Sequence, residues 1–283
     1  MSPATKRIRS ILSQTRAVKA AALSDPISAR IAEHAGFEAG VMLSSSATMA
    51  VLGAPDVSLI SLTEMAEQTR RVARASGLPV LVDGEQGFGN ALNAMRTVAE
   101  IEAAGAAAVT IEDTILPRAY KAGAGLQMVS EEEGVAKVKA ALLGRRDPEF
   151  VVLARTSALA IAPLDEALRR LRNYEAAGAD AVFVSGAKSL DQLKAARAAL
   201  SIPIVVGAVA PELRCPQILS EAGVSLWAQG NLPMFDAAHA MKKAYADILA
   251  GTRQAPMQST SSDPVVDEAT RGRTYGDWLE AFC

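Results

Sequence analysis

Acidic residues stand at the ends of several apolar runs in this sequence. Val80-Leu81-Val82 leads into Asp83, Gly84 and Glu85, and Val109-Thr110-Ile111 leads into Glu112 and Asp113. Val151-Val152-Leu153-Ala154 leads into Arg155, Thr156 and Ser157. An earlier run is followed by Ser24-Asp25, and another by Ser44-Ser45-Ser46, with Asp56 further along the same loop. Taken singly, each acid reads equally well as a loop residue or a helix cap. As a group they repel one another unless something positive sits among them. Oxygen donors with no nearby His or Cys suit Mg²⁺ or Mn²⁺, held by one or two carboxylates and several waters. Arg155 is a planar, permanent cation matched to a substrate carboxylate. The chemistry indicated is metal-assisted work on a small acid.

Other chemistries have weaker support. His34 and His239 fall inside helical patterns, Cys215 lies within Pro211 to Ser220, and Cys283 is terminal, so a His–Ser or His–Cys nucleophile is disfavoured. Gly87, Gly89 and Asn90 match the spacing of neither a P-loop nor a dinucleotide fingerprint, and read as permissive backbone near a ligand.

The elements that must position these residues follow a recurring phrase. A helical stretch ends in Ala-Gly and a short apolar run follows: Ala35-Gly36 before Ala39 to Leu43, and Ala104-Gly105 before Ala108 to Ile111. The phrase returns as Ala177-Gly178 before Ala181 to Val184 and as Ala222-Gly223 before Val224 to Trp227. Glycine just past a helix ends it in a left-handed turn, and the apolar run starts a buried strand. Leu78 to Val82, Ile202 to Val206, Phe150 to Ala154 and Val18 to Leu23 bring the strands to eight. Amphipathic patterns between them include Leu62 to Ala75, Ala91 to Ala104, Leu164 to Ala177 and Phe235 to Leu249. Continuous apolar strands suit a parallel sheet covered by helices. Eight such units in roughly 250 residues predict an α/β fold, a (β/α)8 TIM barrel whose site lies at the carboxyl ends of its strands. A doubly wound open sheet is the alternative, but Leu23-Ser24-Asp25-Pro26 is not the Gly-rich turn it usually carries.

The barrel is expected over residues 1–250, with a linker and tail over 251–283. The basic stretch from Met1 to Arg16 reads as a surface helix with Ile8, Ile11 and Leu12 on its apolar face, or alternatively as a transit peptide. Gln254 to Pro264 is rich in Ser, Thr and Pro and reads as the linker. Tyr275, Trp278, Leu279 and Phe282 then indicate a helical tail packed on the barrel or on a neighbouring subunit. Among 283 residues, 29 Lys and Arg stand against 31 Asp and Glu, for a formal charge of −2, which argues against nucleic acid as a partner. Two cysteines cannot build a disulfide framework, and no apolar run reaches the roughly 18 residues of a membrane span, so a cytoplasmic protein is expected.

The same residues carry a family resemblance. The chain resembles the isocitrate lyase/phosphoenolpyruvate mutase superfamily, and within it most the bacterial oxaloacetate decarboxylase branch. The matching segments are Asp25 to Ile31, Gly53-Ala54-Pro55-Asp56, Gly87 to Asn93, Thr110 to Thr114, Glu131-Glu132-Glu133-Gly134 and Ala154-Arg155-Thr156. The resemblance implies a Mg²⁺-dependent enzyme, with Mn²⁺ as a substitute, that binds a small 2-oxo carboxylic acid and stabilises an enolate. It implies Asp83 and Glu85 as the metal-binding acid pair and Glu112 as a further acid of the metal shell. Arg155 matches the arginine that binds the substrate carboxylate, and Asp56 matches an acid near the metal. Ser44 and Ser45 fall in the loop that holds that carboxylate. Relatives usually form tetramers, often exchanging the last barrel helix between subunits.

Three departures bear on the reaction. The family's Asp-x-Asp pair is Asp83-Gly84-Glu85 here. A histidine near the end of the eighth strand is replaced by Asn231, which donates hydrogen bonds but cannot shuttle protons. The loop Pro117 to Gly125 has neither the Cys nor the His that the superfamily's thiol-dependent lyases use. Decarboxylation of oxaloacetate or a close 2-oxo diacid needs no base to remove the departing carboxylate, which suits these departures. The alternatives are a lyase of a substituted malate, a phosphonopyruvate enzyme, and a non-catalytic relative that binds an oxo acid. Pro117 to Glu131, including Lys121, is expected to form a lid.

Overall fold

A computed structural model describes residues 2–116, 125–252 and 263–283. Eight parallel strands close into a barrel in sequence order, with the last strand pairing to the first. They are β1 (Val18–Ala22), β2 (Ala39–Met42), β3 (Val80–Asp83) and β4 (Ala108–Glu112), followed by β5 (Val151–Thr156), β6 (Ala181–Ser185), β7 (Ile204–Gly207) and β8 (Val224–Ala228). The doubly wound alternative is thereby excluded. In all four Ala-Gly phrases the alanine caps the preceding helix, and the glycine adopts a positive φ between 73° and 100°. β3 and β7 begin one residue after Pro79 and Pro203, because proline has no N–H for the ladder.

The period of two along each strand explains where the site sits. Inward residues such as Val18, Ala20, Val41, Leu81, Ala108, Leu153, Phe183 and Leu226 form one buried cluster. Ile8, Ile11 and Leu12 of the helix Pro3–Leu12 join that cluster and close the amino end of the barrel. Arg9 of this helix donates to the Glu149 carbonyl at 2.8 Å and pairs with Asp180 at 2.9 Å, both just ahead of strands. Towards the carboxyl ends the same inward positions turn polar: Asp83 follows Leu81, Glu112 follows Thr110, and Arg155 follows Leu153. Register places Glu112 opposite Arg155 and Asp83 opposite Thr110. The barrel thus has an apolar floor and a charged mouth.

Two segments differ from expectation. Ser44 onwards is not a loop: Ser44–Leu52 is a helix that starts immediately after β2. The Leu232–Leu249 helix, amphipathic in sequence, does not pack on its own barrel: none of its residues is buried, Phe235 and Tyr245 are 50% and 71% exposed, and it is left uncovered as an exchanged last helix would be. Beside it lies an apolar cavity of about 540 Å³ lined by Leu23, Ile31, Phe37, Leu232 and Met234. In the tail, the Pro264–Thr270 helix docks on the barrel: Ala269 is buried, Arg30 donates to its carbonyl at 2.9 Å, and His34 pairs with Glu268 at 3.2 Å. The last helix, Gly272–Phe282, keeps Tyr275, Trp278, Leu279 and Phe282 exposed. Most of the expected lid, including Lys121, and most of the expected linker lie outside the described residues. No helix among the described residues is long and apolar enough to cross a membrane.

Candidate active site

A cavity of about 550 Å³ opens at the charged end of the barrel, with Ser44, Ser45, Asp56, Asp83, Arg155 and Asn231 in its wall. Arg155 organises the floor. Its Nη1 pairs with Asp83 Oδ2 at 2.6 Å, its Nε lies 3.0 Å from Glu112 Oε2, and the Phe183 ring lies 5.4 Å from the guanidinium carbon. Nη2 makes no hydrogen bond among the described residues and is the donor left for a ligand. Asp83 also accepts from the Ser44 hydroxyl at 3.3 Å and from the Glu85 backbone N–H at 3.2 Å. The Ser44–Leu52 helix points its amino end, with its partial positive charge, at this carboxylate.

The turn after β3 brings Glu85 into the same place. A Cβ on Gly84 would lie 2.5 Å from the Thr110 carbonyl oxygen, so only glycine lets the chain cross β4 this closely. Glu85 itself has φ +50°, a left-handed conformation that a non-glycine residue adopts at a cost, and such strain concentrates at functional sites. Its carboxylate accepts from the Ser58 hydroxyl at 3.3 Å. Glu112 accepts a hydrogen bond from the Thr114 hydroxyl.

Asp83, Glu85 and Glu112 are only 5%, 5% and 6% exposed, and a single guanidinium serves all three. Burial works to raise the Asp83 pKa, but the charge of Arg155 and its hydrogen bond outweigh it and hold the carboxyl below its usual range. Glu85 lacks such a partner. Burial, and after it the charge of Asp83, pushes it up to about 7. Burial likewise raises Glu112, with Arg155 pulling the other way. Burial would weaken the Arg155 charge, but Asp83 and Glu112 reverse that and hold the guanidinium firmly protonated. The mouth's acid cluster is therefore short of positive charge, and its donors are hard oxygens, which fits a divalent cation such as Mg²⁺. Among the described residues no three His, Cys, Asp or Glu side chains converge on one ion position. Mg²⁺ does not require that, since it keeps several waters and uses one or two carboxylates directly.

Asn231 closes another side of the mouth. Its amide donates to Ser45 Oγ at 2.8 Å, and its carbonyl oxygen accepts from Ser46 Oγ at 2.8 Å. Ser45 accepts from Asn231, so its own proton is free to point into the cavity.

Several acids and glycines noted in the sequence serve the scaffold instead. Asp25 caps the Pro26–His34 helix through a reciprocal capping box with Ser28. Asp113 faces away from the mouth, one residue out of phase with Glu112, and accepts from Tyr174 at 2.7 Å, Thr156 at 2.8 Å and Arg170 at 3.3 Å. The Gly87 to Asn90 turn belongs to helix Ala91–Ala103 rather than to a ligand: Asn90 caps it, and Thr97 donates to the Gly87 carbonyl at 3.0 Å. His34 sits against the tail, His239 lies on the exposed Leu232–Leu249 helix, and both cysteines are free, Cys215 half-buried and Cys283 exposed. Sequence reading missed Ser58, Phe183 and Arg214, and gave Thr114 no role although it ends a matching segment. Of these, only Phe183 carried a signal, its inward register on β6.

The sequence profile of the phosphoenolpyruvate phosphomutase family matches residues 8–249. The chain belongs to this family. A relative from Rhodopseudomonas palustris strain BisB5, an oxaloacetate decarboxylase, is 47% identical over 264 residues, covering 93% of this chain and 91% of its own. The crystal structure of a phosphoenolpyruvate phosphomutase from Streptomyces platensis subsp. rosaceus superposes with a TM-score of 0.85 at 32% identity, over 98% of this chain and 99% of the other. A phosphonopyruvate hydrolase in complex with oxalate and Mg²⁺ superposes with a TM-score of 0.83 at 29% identity, over 99% of both chains. Family members thus share this barrel, and one holds a divalent cation together with a small dicarboxylate.

Proposed function

We propose that this family member is a Mg²⁺-dependent carboxy-lyase, able to use Mn²⁺, that decarboxylates oxaloacetate or a close 2-oxo diacid. The observation that carries this reading is the buried cluster of Asp83, Glu85, Glu112 and Arg155, together with the lack of His, Cys or Lys among the described residues of the cavity wall. Such a mouth can bind anions and cations strongly and offers no strong base. Decarboxylation needs none. The 47% identical decarboxylase supports the same reading.

One or two of Asp83, Glu85 and Glu112 would hold the cation directly and the rest through its waters, and Asp56 would be a further acid beside it. Bound there, Mg²⁺ supplies a Lewis acid for the 2-oxo group and its adjacent carboxylate. Ser44 and Ser45, at the amino end of their helix, and Arg155 through Nη2 bind that carboxylate and fix its plane. Asn231 keeps the Ser45 proton directed at the ligand. Its second amide hydrogen is available to the oxygen on which negative charge develops as CO₂ leaves. Phe183 shields one face of Arg155 from water, which strengthens its pairing.

Assembly follows from the surface. The Leu232–Leu249 helix leaves Phe235, Met241, Tyr245 and Ile248 uncovered, which supports a homo-oligomer, a tetramer in the family pattern, that buries them. Two unpaired cysteines support a reducing, cytoplasmic setting.

The test is pyruvate formation from oxaloacetate with Mg²⁺, measured above the background of the metal alone and beside Arg155→Ala. Turnover that the variant loses is expected. Absence of turnover, with Mg²⁺ and oxalate still raising the melting temperature, would move the substrate to another oxo acid. Failure of that pair to stabilise the protein would remove the metal site.

A further inference from the structure

Two guanidiniums line the mouth, and they are in opposite situations. Arg155 is engaged by Asp83 and Glu112. Arg214, in the wall of the same cavity, has no carboxylate partner among the described residues. Its position is nonetheless set. It follows the single 3-10 turn Pro211–Leu213 after β7, and Leu213 is anchored in the core with 2% exposure. Its backbone N–H donates to the Pro211 carbonyl at 3.2 Å, and its Nε donates to the Val209 carbonyl at 3.2 Å. Neither terminal nitrogen bonds to another group among the described residues, and both can reach a ligand. An arginine held by its Nε, with no carboxylate partner among the described residues, in a cavity wall that is mostly apolar and hydroxyl-bearing with Asp56 and Asp83 as its acids, is suited to a second anionic group on the ligand.

We propose that Arg214 reads the distal carboxylate of the substrate and makes the site selective for 2-oxo dicarboxylates over 2-oxo monocarboxylates. This deepens, and rests on, the decarboxylase reading, in which the proximal carboxylate and the 2-oxo group are taken by Ser44, Ser45, Arg155 and the cation. Arg214 then meets the carboxylate that departs. When the C3–C4 bond breaks, its electron pair stays on C3 as the enolate, and the carboxylate leaves as neutral CO₂. The contact exists in the bound substrate and is lost in the product. It lowers KM, cannot raise kcat because it weakens as the departing carboxylate loses its charge, and does not hold the product.

The test compares the Mg²⁺-loaded wild type with Arg214→Gln and Arg214→Lys. Arg214→Gln is expected to raise the KM for oxaloacetate roughly 10- to 50-fold, keep kcat within about threefold, and leave the Kd of oxalate within about twofold. Arg214→Lys should recover part of the loss. An unchanged KM, or equal weakening of oxalate and oxaloacetate, would overturn the assignment. A second arm does not depend on turnover: calorimetric Kd values for 2-oxoglutarate and 2-oxobutyrate. Wild type should prefer the diacid and Arg214→Gln should lose that preference, even if oxaloacetate proves not to be the substrate. A preference that survives the substitution counts against Arg214 alone and leaves the decarboxylase reading untouched.

Discussion

Glu112 and Asp113 are neighbours in sequence and both buried, yet they face opposite sides of the barrel wall and obey different electrostatics. Asp113 meets one guanidinium, Arg170, with a phenol and a hydroxyl completing its bonds on one oxygen. Burial raises its pKa while Tyr174, Thr156 and Arg170 pull it down, and the cluster is charge-balanced. Glu112 shares Arg155 with Asp83 and lies close enough to Glu85 to raise it. One buried charge pair is balanced within the fold, although Asp113 Oδ1 and Arg170 Nε keep no hydrogen-bond partner among the described residues. The other is left short of positive charge at a cavity wall. The charge-balanced pair holds structure, and the charge-deficient cluster is the one suited to hold a ligand.

The contrast breaks most sharply at the two arginines. Arg155→Ala should reduce turnover at least roughly a thousandfold, since the carboxylate loses its cation and the acids lose their organiser. Arg170→Met should do the reverse. It leaves Asp113 buried without its cation, costing about 3–5 kcal/mol of stability by urea melting, while kcat of the folded fraction stays within a few fold. If Arg170→Met abolished kcat while the fold stayed intact, the division between the two networks would be wrong.

The sequence made half of this contrast legible. Ala108, Thr110 and Glu112 share one parity along β4 and Asp113 has the other, so the period of two already separates the two acids once the barrel is recognised. All eight strands were readable because continuous apolar runs and the Ala-Gly phrase are local signals. Asp25 was not separable from a site acid, since a helix cap and a ligand use the same residue type at the same strand end. The Ser44–Leu52 helix was hidden because its residues are small or apolar all round and show no amphipathic stripe. The Asn231 bridge to Ser45 and Ser46 spans some 185 positions and has no local trace. The exposure of Leu232–Leu249 has no trace in the residue pattern, because an amphipathic pattern does not say which surface covers it; only the resemblance, with its exchanged last helix, pointed to it.

The charge shortfall at Glu85 gives the next largest effect. Its ordinary value is 4.5 and the fold raises it to about 7, so between those values the native state binds more protons than the unfolded chain. Its contribution is therefore fully present below about pH 4.5 and lost as pH rises through 7. In chelator-treated protein, urea melts should show wild type losing up to about 3 kcal/mol relative to Glu85→Gln across that range. Saturating Mg²⁺ should reverse the sign, because the cation selects the deprotonated carboxylate. A difference between wild type and Glu85→Gln that is flat with pH would mean that Glu85 is already neutralised within the fold.

The smallest effect concerns Asn231, which acts through a neighbour. Removing it frees Ser45 and Ser46 to rotate and leaves the Ser45 proton undirected, so Asn231→Ala should raise KM about 5- to 10-fold with kcat changed less. Asn231→His is the sharper probe. The cavity wall carries no histidine among the described residues, so with saturating Mg²⁺ holding Glu85 deprotonated the wild-type kcat/KM profile should have no limb near pH 6.5, and the substitution should introduce one. A limb already present in wild type would point to Glu85, whose value of about 7 lies in the same range, and Glu85→Gln would remove it. The two substitutions together separate a proton carried by the mouth's own carboxylate from one carried by an added imidazole.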